Sequence, residues 1–516
     1  MNPAMADIPA LLDVAIIGAG FYGLKAAQTY LKLDPDAKLA IFERYNTVGG
    51  TWSRDRIYPS LVAQVEYGYF NYPDSPMSKD GAANDNLVSG NMIFNYLDRF
   101  ANEHDLKRRI HFDSWVSNVQ RCNRGWRLTV NGRSVESRKL IIASGITSVK
   151  NSPSFEVKEG SIPVIHSIDI AQNAQDLSSN NVQHCLVLGA AKSAYDVVTS
   201  LGRWLTKAHW SFITSKAIKV AGFGGNAGSV EGLRPDVKNA SCFWCDSSLG
   251  LITLGDFWSK LQKGNITIIR DNVDVVDASG ALLRSGRRVD VDRVIYCTGW
   301  GDHFSFFSEA VKEELGIPQY GDTTQGQASV SSSEMNDWRV HEEAADIVVA
   351  QKLPLLAAGP KELRSPSSKK CITRRRWRLY NRCIPLSTAR NEDRSIVILG
   401  QIHTTQTPTI SAIQCLWAVA YLLGEVAIPT EDCMVKEVAQ WNAWTRKRYS
   451  SVGERYPYAL FDWIPYLDCL LKDLGVRTQR KRGVFANFLA PYGPSDYDGV
   501  LDEYMVIRKK NQNAES

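Results

Sequence analysis

Gly18-Ala19-Gly20-Phe21-Tyr22-Gly23 sets three glycines at the spacing a main chain needs to wrap a phosphate, and Glu43 follows 20 residues after the last of them. Gly18 permits the tight turn, Gly20 lets a pyrophosphate approach the backbone, and Gly23 lets a helix pack closely on a strand. A carboxylate at Glu43 is placed to accept hydrogen bonds from ribose hydroxyls, so the set reads as a dinucleotide site. An imperfect second copy is Gly189-Ala190-Ala191-Lys192-Ser193-Ala194. Ala191 stands where the middle glycine belongs, and its methyl group crowds the approach of a pyrophosphate. Twenty residues after Ala194 come Thr214, Ser215 and Lys216 in place of an acid. Hydroxyls with a nearby cation suit the 2′-phosphate of NADP, with Lys219 as a further cation. The GxxxxGK[ST] pattern of a P-loop is absent. Cys242-Phe243-Trp244-Cys245 has the spacing of a thiol–disulfide centre. The histidines are not grouped at metal-ligand spacing, and no metal site is expected.

These residues need strands and helices to hold them. Asp13–Ile17 is a β-branched run before the first glycine turn, Leu24–Leu33 a helical stretch and Lys38–Phe42 a second strand. A similar unit starts with the strand Cys185–Leu188, followed by a helix from Lys192 to about Ala208 and a strand Trp210–Thr214. Two βαβ starts predict an α/β fold with two Rossmann-like dinucleotide-binding domains. Strands are expected over 115–120, 126–130 and 139–143, with turns at Asn123-Arg124-Gly125 and Asn131-Gly132. Each unit closes in a strand followed by glycine, at Ala143-Ser144-Gly145 and at Cys297-Thr298-Gly299. Residues 301–395 are less regular, and 396–516 return to apolar and helical patterns. The expected division is 1–180 and 181–305 for the two nucleotide domains, 306–395 for a substrate-facing lid or insertion, and 396–516 for the return to the first domain. The second domain is thus inserted into the first, and the C-terminal part is helical.

Composition narrows the class. A charged fraction of 22% and a hydrophobic fraction of 44% are those of a globular enzyme, and a net charge of +5 over 516 residues calls for no nucleic-acid partner. The longest apolar run, Ile410–Gly424, contains Gln414 and is shorter than a membrane span, so it is expected as a buried helix. Ten scattered cysteines and a start without a basic, then apolar, leader lead to an expectation of reduced thiols and a cytoplasmic location. The basic cluster Lys370, Arg374, Arg375, Arg376, Arg378 and Arg382 is expected, by default, to be a solvated loop face.

Gly49-Gly50-Thr51-Trp52-Ser53 follows the first unit at once, and with GAGFYG and Phe42-Glu43-Arg44 the pattern resembles the flavin-containing monooxygenase superfamily, which includes Baeyer–Villiger monooxygenases and N-hydroxylases. The resemblance is strongest to fungal members from secondary metabolism. It runs through Arg56-Ile57-Tyr58-Pro59-Ser60-Leu61, Tyr72-Pro73-Asp74-Ser75-Pro76-Met77, Leu315-Gly316-Ile317-Pro318, Gln414–Gly424, Phe461-Asp462-Trp463, Tyr466, Asp468 and Tyr492-Gly493-Pro494-Ser495-Asp496-Tyr497. It implies FAD on the first unit, with Phe21, Arg44, Gly50, Thr51, Trp52, Val116 and Ser144 joining Gly18, Gly20, Gly23 and Glu43 as contacts. It implies NADPH on the second, at Gly189, Lys192, Ser193, Ser215 and Lys216. The implied reaction is oxygenation of a small organic substrate with O2. Gln64 falls where the family carries an asparagine near the flavin, and keeps an amide donor and acceptor. His403, Thr405 and Gln406 fall where relatives pass the isoalloxazine, giving the expected catalytic set Gln64, His403, Thr405 and Gln406. His166 matches the histidine of the family's FxGxxxH signature only loosely, because Gly160 is two positions too far away. It is a hinge candidate or a structural histidine. Ala191 and the absence of an arginine near Thr214 depart from the family. A flavin oxidase or dehydrogenase without NADPH, a thiol–disulfide flavoenzyme and a protein with structural FAD therefore stand as alternatives.

Overall fold

The computed structural model describes residues 8–58, 61–82, 86–151, 153–179, 181–189, 265–321, 332–359, 372–449, 453, 457–460 and 462–515. The apolar run Leu11–Ile17 forms β1, buried along most of its length. It leads through the glycine turn into α1, Phe21–Leu33, and then into β2, Leu39–Phe42. A hairpin of β3 (Val62–Glu66) and β4 (Leu87–Ser89) precedes α2, Gly90–Glu103. The Ser89 hydroxyl caps α2 by accepting from the Met92 N–H, which supplies one of the bonds a helix start leaves open. β5 (Ile110–His111) joins β2 in parallel, and the meander β6 (Val116–Cys122), β7 (Gly125–Val130) and β8 (Arg133–Ile142) follows. Asn131 and Gly132, at φ +47° and +79°, make the two-residue turn the sequence predicts between β7 and β8. β8 then runs parallel to β1 with Ile17 opposite Ile142, so the chain ends of both strands lie side by side.

A second parallel sheet places β9 (Val164–His166), β11 (Arg293–Tyr296) and β10 (Cys185–Leu188) side by side, with β11 in the centre. A small sheet of Glu156–Val157, Val273–Asp277, Gly280–Leu283 and Arg288–Val289 packs through Val276, Ala281 and Val294. The expected helix from Lys192 and strand Trp210–Thr214 lie outside the described residues. So do Lys192, Ser193, Ser215, Lys216, Lys219, Cys242 and Cys245.

The chain next builds α3, Ser332–Lys352, a 21-residue helix within the segment expected to be irregular. Charged and apolar residues mix round this helix, and among its described side chains only Ala345 and Val349 are buried, against Ala439 and Ala443, so its period is faint. β12 (Ile396–Ile398) pairs in parallel with β8 and extends the first sheet. α4, Thr407–Leu422, is buried throughout, as its apolar run predicts, and packs on α1. The helices α5 (Glu431–Arg448), α6 (Trp463–Asp473) and α7 (Val500–Glu515) complete the C-terminal part. Arg508 ties α7 to the end of α1 by donating to the Leu33 carbonyl at 2.7 Å. No helix among the described residues is long and apolar enough to cross a membrane.

The basic cluster departs from expectation. Arg375, Arg378 and Arg382 are buried, not solvated. Arg375 donates to the Ile317 carbonyl at 2.8 Å, and Arg378 lies 4.6 Å over the Trp338 ring. Arg382 donates to Asn442 and Thr445 of α5, and Arg376 pairs with Glu342 of α3. These cations fasten β12's approach to the helices, and a planar guanidinium with several donors serves that better than a lysine. The Lys370 residue and the Arg374 side chain lie outside what the structure describes.

Candidate functional site

The site grows at the carboxyl ends of β1, β8 and β12, the edge at which open parallel sheets bind ligands. Gly18 turns the chain at φ +103°, and a Cβ there would meet the Ala143 carbonyl at 2.5 Å. At Gly23 a Cβ would lie 1.8 Å from the Gly18 oxygen. Both positions must be glycine for the fold to close. Gly20 is different: a Cβ would meet nothing nearer than the Gly50 Cα at 3.7 Å. The fold would therefore admit a side chain at Gly20, in ordinary contact with Gly49–Gly50, yet the position is glycine. Gly49 closes the opposite side, its N–H donating to the Ala19 carbonyl at 3.0 Å and its φ at +119°.

Glu43 sits beneath this cradle, 3% exposed, with one oxygen accepting from the Ala19 N–H at 2.7 Å and the other from the Tyr45 N–H at 3.0 Å. Burial pushes its carboxyl above the ordinary range, against the pull of those two N–H groups. An ionised carboxylate has about four acceptor sites, so capacity remains for a ribose hydroxyl. Arg44 donates to the Ser148 carbonyl and stacks over Tyr45 and Trp115. Val116 is buried at the start of β6, two residues beyond Ser114, whose N–H reaches the Glu43 carbonyl. Phe21 and Trp52 both meet Phe70 edge-on, at 5.4 and 6.2 Å between ring centres. The Thr51 hydroxyl lies 2.8 Å from that of Thr147. Ser144 donates to the His303 carbonyl at 3.4 Å.

On the β12 side, Gly400 turns at φ +75°, and its N–H donates to the Gln414 carboxamide at 2.9 Å. Gln414 Nε2 donates to Tyr466, whose hydroxyl donates to the Asn381 carbonyl at 2.9 Å. The Tyr22 ring lies directly against Gly400, where a Cβ would meet Tyr22 Cε2 at 3.0 Å. His403 pairs edge-on with Tyr458, and burial, helped by His303, pushes its imidazole down to about 3, so it is neutral at ordinary pH. Thr405 is half-buried in the same loop, and the Gln406 N–H donates to the Thr404 hydroxyl. Gln64 lies in β3, and its side chain lies outside what the structure describes.

The residues fit a flavin dinucleotide. Gly20 carries no side chain at a turn where the fold would admit one, and Glu43 keeps acceptor capacity for a ribose. The buried Tyr22 Oη, Gln406 Oε1 and Thr409 Oγ1 have no hydrogen-bond partner among the described residues. Buried polar atoms without partners are costly, and a polar ring system would supply them. The sequence reading missed Tyr22, a bulky residue inside the glycine motif, and His303, four residues past the Gly299 turn. It also missed the link from Gly400 through Gln414 to Tyr466, although it had noted both side chains.

The second unit's first glycine, Gly189, turns at φ +123° and is packed against the Cys297 carbonyl. Beside it the two strand-then-glycine segments cross: the Gly301 N–H donates to the Val149 carbonyl, and Lys150 pairs with Asp169 at 3.0 Å. His166 is 1% exposed, accepts from the Ile168 N–H and faces the Gly299 carbonyl at 3.3 Å. That makes it a satisfied structural histidine seated at the crossing.

Residues 15–217 match the pyridine nucleotide-disulphide oxidoreductase family. The chain is 32% identical to the FAD-dependent monooxygenase DEP4 of Alternaria brassicicola over 96% of this chain and 95% of that protein. It is 28% identical to the FAD-dependent monooxygenase resA of Aspergillus sclerotiorum, over 96% and 98%. Cyclohexanone monooxygenase in its closed form shares the fold, with TM-score 0.55 and 14% identity over 91% of this chain and 98% of that one. So does the S-allyl-L-cysteine S-oxygenase of Allium sativum, with TM-score 0.52 and 15% identity over 98% and 99%.

Proposed function

From the premise that this chain belongs to the FAD-dependent monooxygenases, and is therefore an oxidoreductase, we propose that it uses NADPH and O2 to oxygenate a small organic substrate, an intermediate of secondary metabolism. The observation that carries this is a glycine turn at which the fold itself does not require Gly20, set against Gly49–Gly50 above a buried, backbone-oriented Glu43. When bound, FAD supplies the two-electron carrier and the centre that activates oxygen. The protein's part is to bind, orient and keep the site dry.

In this reading Gly18, Gly20, Phe21 and Gly23 hold the pyrophosphate at the start of α1. Glu43, Arg44 and Val116 hold the adenosine, and Gly50, Thr51, Trp52 and Ser144 border the flavin. Gln64, Thr405 and Gln406 present amide and hydroxyl groups to the reacting edge. His403, neutral through burial, acts there as a hydrogen-bond partner and not as a charge. The second nucleotide unit, residues 181–305, is inserted between the two parts of the first and brings NADPH with Gly189, Lys192, Ser193, Ser215 and Lys216. Residues 306–395 form the substrate-facing segment, and 396–516 the return.

The test is anaerobic mixing of the purified holoenzyme with NADPH and, separately, NADH while following oxidised-flavin absorbance. Fast bleaching selective for NADPH is expected. If neither nucleotide bleaches the flavin, with or without candidate substrates, the NADPH-dependent reading fails and an oxidase that draws electrons from its organic substrate replaces it.

A further inference from the structure

An open cleft of about 640 Å³ lies beyond the C-terminal end of α6, lined by residues that include Lys472, Arg477, Lys481, Gly483 and Asn487. None of them belongs to the redox site. The carboxylates around the cleft are occupied by the protein itself. Asp473 accepts from Trp417 at 3.0 Å and Asn381 at 3.1 Å, Asp496 holds Lys481 at 2.8 Å, and Glu503 holds Arg480 at 2.7 Å. Lys472, Arg477 and Arg482 are exposed and carry no ion pair among the described residues. Glu503 and Asp473 face Arg477 and Lys472 without closing an ion pair on them, so the rim presents three exposed cations, and those carboxylates are already held by other groups.

Phe485 stands on the same rim, between the lining residues Gly483 and Asn487, and is 82% exposed. No other large apolar side chain among the described residues is so exposed. It is not on a loose loop. Asn487 Nδ2 donates to the Lys481 and Gly483 carbonyls at 2.8 Å each, and Asn487 Oδ1 accepts from the Lys481 N–H and the Tyr492 hydroxyl. A fixed aromatic ring held out in water beside three exposed cations matches a surface that is anionic outside and apolar within.

We propose that this face docks the enzyme on an anionic phospholipid bilayer, with headgroup phosphates at the cleft and Phe485 entering the boundary between headgroups and acyl chains. The proposal is independent of the redox reading.

The test is co-sedimentation of the holoenzyme with large vesicles of phosphatidylcholine alone or with about 30% phosphatidylserine. Binding to the serine-containing vesicles only, weakened by salt, is expected. Each cation near an anionic surface is worth about fivefold in binding, so Arg477→Gln with Arg482→Gln is expected to weaken it by roughly 25-fold. Phe485→Ser is expected to weaken it by roughly tenfold. These side chains are exposed, and the variants' flavin absorbance and melting temperature serve as the check on folding. Absence of binding by the wild type, equal binding to both vesicle types, or binding indifferent to Phe485→Ser would each overturn the proposal. So would full displacement by millimolar inorganic phosphate at constant ionic strength, which would make the cleft a site for free phosphate.

Discussion

Alanine placed at Gly20 and at Gly23 should fail in opposite ways. At Gly20 the backbone is extended, φ −85° and ψ −166°, which alanine adopts freely, and the added methyl meets nothing nearer than the Gly50 Cα at 3.7 Å, an ordinary contact. Gly20→Ala should therefore leave the apoprotein as stable as before, or more stable by about 0.4–1 kcal/mol through a less flexible unfolded chain. The same methyl occupies the surface reserved for the pyrophosphate. If it carries the usual overpacking cost of about 1–3 kcal/mol into the complex, FAD affinity falls roughly 5- to 150-fold. At Gly23 the methyl would meet the Gly18 carbonyl at 1.8 Å, and Gly18 is itself pinned by its N–H to the Phe42 carbonyl at 2.9 Å. Gly23→Ala should lower the stability of the apoprotein by about 1–3 kcal/mol or more. FAD titration followed by fluorescence quenching, beside thermal melts of the apoproteins, separates the two. Undiminished FAD affinity in Gly20→Ala, or a wild-type melt in Gly23→Ala, would refute the assignment of one glycine to the ligand and the other to the fold.

Gln414→Leu should cost about 1–3 kcal/mol by leaving the Gly400 N–H buried without an acceptor, and Tyr466→Phe should cost less, because Gln414 can still accept from Gly400. Their combination should cost less than the sum, since both break one link, and urea unfolding of the four proteins measures the difference. The His403 imidazole, held in the fold at about 3 against an ordinary 6.5, takes up its proton in the unfolded chain first. Stability should thus be complete above pH 6.5 and fall as pH drops toward 3, by about 2 kcal/mol at about pH 5. His403→Gln should flatten that part of the pH profile in denaturant melts, and an unchanged profile would rule out a buried neutral imidazole. Arg382→Met should lower stability by about 1–3 kcal/mol by orphaning Asn442 and Thr445, whereas a merely solvated arginine would be replaced within about 0.5 kcal/mol.

The first βαβ unit was legible because its signals are local. Glycine spacing, a β-branched strand and an acid at the end of the next strand all act within 33 residues, Asp13 to Tyr45, and the structure puts Ala19 and Glu43 in direct contact. The buried run of α4 was legible for the same reason. The Arg375–Arg382 cluster was not. Its arginines find partners at Ile317, Trp338 and Asn442, far along the chain, and a charge run gives no sign of which carbonyls it will meet. α3 escaped because its single buried seam, Ala345 and Val349, is set by packing on α5 and not by its own composition. Tyr22 lay inside a motif read for its glycines alone, and its meaning depends on Gly400, which arrives just past a strand nearly 380 residues later.

The division between glycines needed by the fold and glycines needed by the ligand extends to the second turn. Gly189 is of the first kind, since a Cβ would meet the Cys297 carbonyl at 2.7 Å at φ +123°. It is retained. The middle position, equivalent in the motif to Gly20, is the one that has become Ala191. Read by the motif, the substitution falls on the ligand's requirement and spares the fold's. Ala191→Gly should then tighten NADPH binding, by up to the roughly 5- to 150-fold that the same methyl is expected to cost at Gly20. Its effect on stability should be a loss of no more than about 1 kcal/mol from added backbone freedom. The measurement is the NADPH concentration dependence of anaerobic flavin bleaching in the two proteins. If Ala191→Gly leaves that dependence unchanged, the pyrophosphate does not pass over residue 191, and the second turn binds its nucleotide elsewhere or not at all.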